Sequence, residues 1–244
     1  MGPASRIVLW SAVAIGLLMG GRYAWLLRES VELARRSEPL QYSPGRPFKR
    51  LLIVGDSTAV GTGASGPLAS VPGLLAQAFP QLLIDNRSQD GATFADLQAQ
   101  LGGDDQFDMV LVMAGGNDVI GLGGMEAVHS DVERITKRAR QRAGVVILMP
   151  AGNVGNAPFF MAPVSWLMTC RSRRLHALVR DAASRSNALY VNLFHERAVD
   201  PFVLDRQLNA ADGLHPSDAG YQVWFGELMT QANLRERLST PSGR

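Results

Sequence analysis

The chain of 244 residues contains a single cysteine, Cys170, and only four histidines. One thiol can form neither an internal disulfide nor a multi-cysteine metal site, and it leaves the redox compartment undecided. Net charge is just as scarce. Against 24 basic residues stand 22 acidic ones, so the pI near 9.0 reflects a small excess and not a basic face. Nucleic acid is therefore not an expected partner. His129 and His176 fall in expected helices and His195 follows the fifth apolar run, none of them at a metal-ligand spacing, so surface or hydrogen-bonded roles are expected. No repeat with a period of about 20 to 50 residues is visible. What is plentiful is apolar residues, at 46% against 19% charged, enough to bury one core of catalytic-domain size.

The N-terminus is different in kind. Ile7 to Gly21 carries no charge, and after Arg22 the apolar character resumes in "YAWLL". A spanning helix needs about 20 mainly apolar residues, a length reached here if Arg22 snorkels to the interface. A removable signal peptide competes with this reading, but no A-x-A site follows the run, and no cysteine is near enough for a lipoprotein anchor. The expectation is an uncleaved anchor over residues 1–28 and a membrane-associated protein; secretion or a periplasmic location after cleavage is the alternative. Arg22, Arg28, Arg35 and Arg36 follow the segment and only Arg6 precedes it, which by the positive-inside rule leaves the domain in the cytoplasm. Residues 29–48, with three prolines between Ser37 and Phe48, read as a tether. A domain over 49–238 and a tail over 239–244 complete the division.

Beyond Lys49 the pattern alternates. Short apolar runs at Leu51–Val54, Leu82–Asp85, Met109–Met113, Val145–Met149 and Leu189–Leu193 have the continuous character of strands buried on both faces. Between them lie helical segments near Leu68–Phe79, Phe94–Leu101, Met125–Arg142 and Arg171–Ser186, with a last helix from Ser217 to about Leu238. This order predicts an α/β fold, a three-layer α/β/α sandwich around a parallel sheet of about five strands. Ligands of such sheets sit beyond the carboxyl ends of the strands. The loops there carry "GDS", "SQDGAT" and "AGGND", and "DGLHPSDAGY" leads into the last helix.

Taken in order, these four segments resemble the sequence blocks of the SGNH hydrolases, the GDSL-type esterases and lipases, over most of Leu51 to Phe225. The resemblance implies a flavodoxin-like sheet and a serine esterase with neither cofactor nor metal. It makes Ser57 the nucleophile, His215 the general base and Asp212 its orienting acid. The oxyanion hole would comprise the Ser57 and Gly91 amides and the Asn117 side chain. Physical chemistry supports each role separately. A serine hydroxyl needs a base, and histidine has the suitable pKa. An aspartate three residues before the histidine can hold one ring nitrogen and leave the other free. Glycine at 91 lets backbone approach the reacting carbon, and Asn117 supplies an uncharged donor. Each segment also has a local reading: Ser57 as a capping serine, Asn117-Asp118 or Asp212-Gly213 as a turn, Ser217 as an N-cap.

Several other signals carry less. Gly61, Gly63 and Gly66 satisfy G-x-G-x-x-G, with Asp85 about 20 residues on, as in a dinucleotide-binding loop. The register is wrong, because Gly55-Asp56-Ser57 already occupies the turn after the strand, so the glycines read as a flexible rim. Asn86-Arg-Ser88 is a glycosylation sequon by pattern. Cys170 reads as packed and not nucleophilic. The apolar stretch Ala157–Cys170 follows the fourth strand, and its Phe159, Phe160, Met161 and Trp166 are the expected substrate-binding residues, lining an acyl pocket or touching lipid. Arg171, Arg173 and Arg174 follow it as either solvated residues or contacts for an anionic headgroup. The expected function is a monomeric serine esterase acting on a small-molecule or lipid ester, such as a fatty-acyl ester, lysophospholipid or thioester. A carbohydrate O-acetylesterase of the same fold and a membrane-tethered, non-catalytic binding module are the alternatives.

Overall fold

The computed structural model describes residues 3–239, with the backbone alone for 3–9, 11–15, 18 and 239. In chain order the elements are α1 (Pro3–Arg36), β1 (Lys49–Gly55), α2 (Ser57–Val60), α3 (Val71–Ala78), β2 (Leu82–Asn86), α4 (Leu97–Gln100), β3 (Phe107–Met113), α5 (Gly116–Ile120), α6 (Met125–Arg142) and β4 (Ala143–Leu148). Then follow α7 (Val164–Ser186), β5 (Leu189–Tyr190), α8 (Pro201–Leu204), α9 (Asp218–Gln231) and α10 (Leu234–Ser239). The strands form one sheet in the order β2-β1-β3-β4-β5, and every pairing is parallel, as expected.

Side chains alternate across this sheet and so build two cores. Leu52, Val54, Val110, Val112, Val146 and Leu148 face α4, α6 and α7 through Leu97, Val132, Ile135, Leu175 and Val179. Leu51, Ile53, Met109, Leu111, Met113 and Ile147 face α3 and α9 through Val71, Leu75, Tyr221, Trp224 and Leu228. Leu51 to Val54 are all buried, each side chain contributing about 1.5–3 kcal/mol, so β1 is pinned on both faces. The chain leaves β1 toward β2 on one side, and β3 pairs on the other. A crevice therefore opens at the carboxyl end of β1, the switch point at which such sheets bind ligands.

Some boundaries differ from expectation. Helix α1 runs through the expected junction at residue 28 to Arg36, because nothing in Glu29–Arg36 breaks a helix and Arg36 bonds Glu32 one turn back. Much of the apolar run expected as an anchor has side chains outside the described residues. Among the described residues, no helix is long and apolar enough to cross a membrane. The segment 37–48 is not free chain. Tyr42 exchanges two backbone hydrogen bonds with Ile84, and the Gln41 amide bonds both backbone groups of Asn86, so this stretch covers the outer edge of β2. Helix α7 begins at Val164, seven residues earlier than expected, because the apolar stretch ahead of Arg171 carries no breaker after Pro163. The last helix is broken between α9 and α10, with Asn233 left-handed at φ 48°.

Candidate active site

The turn after β1 is shaped by close approach. A Cβ on Gly55 would lie 1.9 Å from the Met113 carbonyl oxygen, so no other residue fits at this strand end. Asp56 then donates its N–H to Met113 O and caps α2, its carboxylate accepting from the Thr58 amide and hydroxyl. Burial pushes the Asp56 carboxyl above its ordinary range. Because Asp56 is the cap, Ser57 is the first helical residue, and its hydroxyl is not spent on the backbone. Instead Ser57 Oγ lies 2.9 Å from His215 Nε2.

His215 is delivered from the other end of the chain. Its backbone is held by the Ala210 N–H on His215 O and by Ser217 N–H on Leu208 O. Its Nδ1 donates to Asp212 Oδ2 at 2.6 Å, while Asp212 Oδ1 accepts from the Leu214 and His215 amides. Burial alone would raise the Asp212 carboxyl, but the His215 hydrogen bond and charge and these two amides outweigh it and hold it below the usual carboxylate range. An ionised Asp212 only accepts, so Nδ1 carries the proton and Nε2 is free to take the serine's. Ser217 also caps α9 through Gly220 N, so its local reading holds beside the functional one.

A chain of contacts ties the remaining predicted residues to the turn after β1. The pairing with β1 extends past the end of β2, through Arg87 N on Ile53 O and Gln89 N on Gly55 O. A turn closed by Ala92 N on Gln89 O then carries Gly91 at φ 79°, a left-handed conformation with open space where a Cβ would be. Glycine is favoured there by its left-handed conformation. Asn117, the second residue of α5, donates one amide proton to Ala92 O at 3.0 Å, which fixes its rotamer and leaves a second proton unspent. Ser57, as the first residue of α2, has an N–H with no intrahelical acceptor. Beside Asn117, burial pushes Asp118 up to about 6, against the Phe94 amide that it accepts.

Three contributors escaped the sequence reading. The Gln100 amide, 5% exposed, grips the backbone of Gly55 from below the turn, accepting from its N–H at 2.7 Å and donating to its carbonyl at 3.0 Å. The available signal was a polar residue between the buried Leu97 and Leu101 on the inward face of α4. Thr62 donates to Asp90 Oδ1 beside Gly91, and the buried Tyr221 hydroxyl donates to Thr62 O, its pKa raised by burial.

Other expectations are partly corrected and partly met. The glycines after Ser57 are not a loose rim. Gly63, at φ 97°, sits where a Cβ would be 2.4 Å from Pro216 O and 2.9 Å from His215 Cβ, so it lets the histidine loop close on the serine loop. Asp85 is bound by Arg87, and the phosphate-cradle reading has no remaining support. Asn86 is buried, its amide donating to Ala59 O, so the sequon is unavailable for modification. Cys170 is exposed on α7 and not packed. Arg171 is not a free side chain; its guanidinium holds the carbonyls of Asp118, Val119 and Gly123. Arg173 and Arg174 pair with Glu196 and Glu126. His176 is buried between Ala151 O and the Tyr190 hydroxyl, and burial pulls it down to about 4. His129 is bonded at the surface to Glu133 and Arg185, while the His195 carbonyl accepts from Asn153 and Asn156. Among the described residues no cluster of three or more His, Cys, Asp or Glu could hold a metal.

Of the expected substrate-binding residues, Phe160, Met161 and Trp166 line a cavity of about 690 Å³. Phe159 does not line it. Its amide donates to Gly213 O beside Asp212, and its ring packs edge-on against Phe160 and against Tyr23 of α1.

No curated protein matches the sequence significantly. Among solved structures, the α/β hydrolase LAE5 from the metagenome of Lake Arreo, Spain, is 24% identical over 80% of this chain and 98% of its own, with a TM-score of 0.59. A variant of Axe2, an acetyl-xylooligosaccharide esterase from Geobacillus stearothermophilus, is 22% identical over 82% of this chain and 98% of its own, with a TM-score of 0.57. TesA is 20% identical over 76% of this chain and 99% of its own, with a TM-score of 0.60. At these identities the likeness establishes the fold. The model of the GDSL-like lipase/acylhydrolase family matches residues 53–223, from β1 into α9, a span that contains Ser57, Gly91, Asn117, Asp212 and His215. The chain therefore belongs to the GDSL-like lipase/acylhydrolase family, the ester hydrolases of SGNH type.

Proposed function

We propose that the protein hydrolyses carboxylic esters through an acyl-enzyme on Ser57. The observation that carries this reading is the continuous relay from Asp212 Oδ2 through His215 to Ser57 Oγ, at 2.6 and 2.9 Å. In the first half-reaction Ser57 Oγ attacks the ester carbonyl as its proton passes to His215 Nε2. The oxyanion is met by the Ser57 and Gly91 amides and the spare Asn117 proton. His215 then returns the proton to the leaving alcohol, and the ester bond breaks. In the second half-reaction water, deprotonated by His215, releases the acid and restores Ser57. No cofactor enters these steps. The relay argues against a binding module that keeps the fold without the chemistry, since a module has no need of a buried, ionised Asp212.

The substrate is proposed to be an acyl ester longer than acetate, because Phe160, Met161 and Trp166 offer apolar surface in the neighbouring cavity. The O-acetylesterase reading draws on the likeness to Axe2 and predicts the opposite chain-length preference. Hydrolysis of p-nitrophenyl esters from acetyl to palmitoyl by the full chain and by Ser57→Ala tests both. Turnover by the wild type alone is expected, with its optimum at medium or long acyl chains. Equal rates for the two proteins would overturn the mechanism, and an acetyl optimum would favour the carbohydrate substrate. We further propose that the N-terminal segment holds the domain at a membrane, supported by the uncharged run Ile7–Gly21. Full recovery of the chain in the soluble fraction after cell lysis would refute this.

A further inference from the structure

We propose that the cavity of about 690 Å³ beside the active site is a subsite for an anionic group, a phosphate or carboxylate, carried by an amphipathic ligand. Its lining includes four arginines from four separate parts of the chain: Arg22 on α1, Arg173 on α7, Arg197 after β5, and Arg206. No aspartate or glutamate lines it. Arg22 is held in place by a 2.7 Å hydrogen bond to Pro158 O, which spends one of its five donors. Arg173 is matched by Glu196 at 2.7 Å. Arg197 and Arg206 have no ion pair and no side-chain hydrogen bond among the described residues.

Unpaired like charges that converge on one hollow repel each other, and a bound anion converts that repulsion into charge-assisted hydrogen bonds. Guanidinium groups suit phosphate and carboxylate oxygens in particular, because their forked donors bind two oxygens at once. The same cavity is lined by Phe160 and by Trp166, 69% exposed, so the ligand that fits has an apolar part beside its charge.

The cavity has a neighbour at the catalytic loop. A second hollow of about 440 Å³ shares Arg22, Pro158 and Arg206 with it and reaches Ala211 and Gly213, on either side of Asp212. The shared wall residues place the arginine-lined cavity next to the turn that holds Asp212. The assignment of that ligand as substrate rests on the ester-hydrolase reading; binding of the anion does not. Two sources supply such a group, a free phosphate compound or the headgroup of an ester substrate.

Cys170 provides the measurement, since it is the only thiol of the chain and lines the same cavity. In the full chain carrying Ser57→Ala, which removes turnover, alkylation by iodoacetamide is followed with inorganic phosphate or with a lysophosphatidic acid below its micellar concentration. Saturable slowing of alkylation is expected, with no effect of a monoacylglycerol of equal chain length or of chloride at equal ionic strength. Replacement of both Arg197 and Arg206 by glutamine is expected to abolish the protection. Both side chains are exposed, so the fold should survive, which a thermal melt checks. Protection by phosphate alone assigns the site to a free anion. Protection by the lysophosphatidic acid assigns it to a substrate headgroup if, with Ser57 restored, the double variant's kcat/KM ratio for anionic over neutral ester falls about tenfold or more. No protection by either probe, protection by chloride, or protection that persists in the double variant overturns the proposal. If no ester is turned over but phosphate still protects Cys170, the ester-hydrolase reading fails and the anion site stands.

Discussion

Removing the Gln100 amide should damage both stability and turnover, although the side chain does not face the crevice. In Gln100→Leu the shape is nearly kept, but the Gly55 N–H loses its acceptor in a site with no access to water. The Gly55 carbonyl retains the Gln89 N–H, so one group and not two is orphaned. An unsatisfied buried donor costs about 1–3 kcal/mol, which in a domain of this size lowers Tm by roughly 2–12 °C. The freed strand end also carries Asp56 and Ser57, and a shift of the nucleophile by about 1 Å can cost up to about 100-fold in kcat, with KM little changed. The assays are calorimetric unfolding and steady-state hydrolysis of a short p-nitrophenyl ester. Gln100→Glu sharpens the test. Its carboxylate accepts from Gly55 N–H but cannot donate to the carbonyl until protonated, and burial raises its pKa. Its activity relative to wild type should therefore rise as pH falls, which simple loss of packing would not produce. A Gln100→Leu protein with wild-type Tm and kcat would refute the reasoning.

Asn117→Ala should lower kcat by about 10²–10³ and leave the melting curve nearly unchanged, since its side chain makes one partly buried hydrogen bond; a kcat within a factor of two of wild type, by roughly the same assay, would exclude it as an oxyanion donor. Gly63→Ala should displace the His215 loop, because its Cβ would meet Pro216 O and the backbone is left-handed. The expected result is a loss of stability of about 1 kcal/mol or more together with lost turnover, seen by urea unfolding and ester hydrolysis. His176 has a folded pKa of about 4, below the ordinary value, so between these two values the unfolded chain binds more protons. Stability should be fully present above about pH 6.5 and fall by up to about 1.4 kcal/mol per unit as pH drops toward 4. Urea midpoints at pH 7 and pH 5 should differ more for wild type than for His176→Gln, and equal differences would remove His176 as the cause.

Much of this protein is legible in the sequence because burial and backbone geometry leave local marks. Five apolar runs separated by helical segments identify a parallel sheet, since only strands covered on both faces read that way. Gly55-Asp56-Ser57, Asn117 and the Asp212/His215 pair are readable for a similar reason. Each lies close to a strand or helix end, and residue type alone names its chemistry. Even the hydrogen bond that orients His215 spans only Asp212 to His215. What the sequence could not decide is everything made by contacts between distant segments. Gln100 reads as one more polar residue until α4 packs beneath β1. Gly63 resembles part of a phosphate loop until the histidine loop, some 150 residues later, closes over it. Arg22, Arg173, Arg197 and Arg206 are scattered charges in the sequence, and they become one cavity only through tertiary packing. Local pattern thus determined which elements form and which residues can react, whereas long-range packing decided where those residues point and which ligand they can hold.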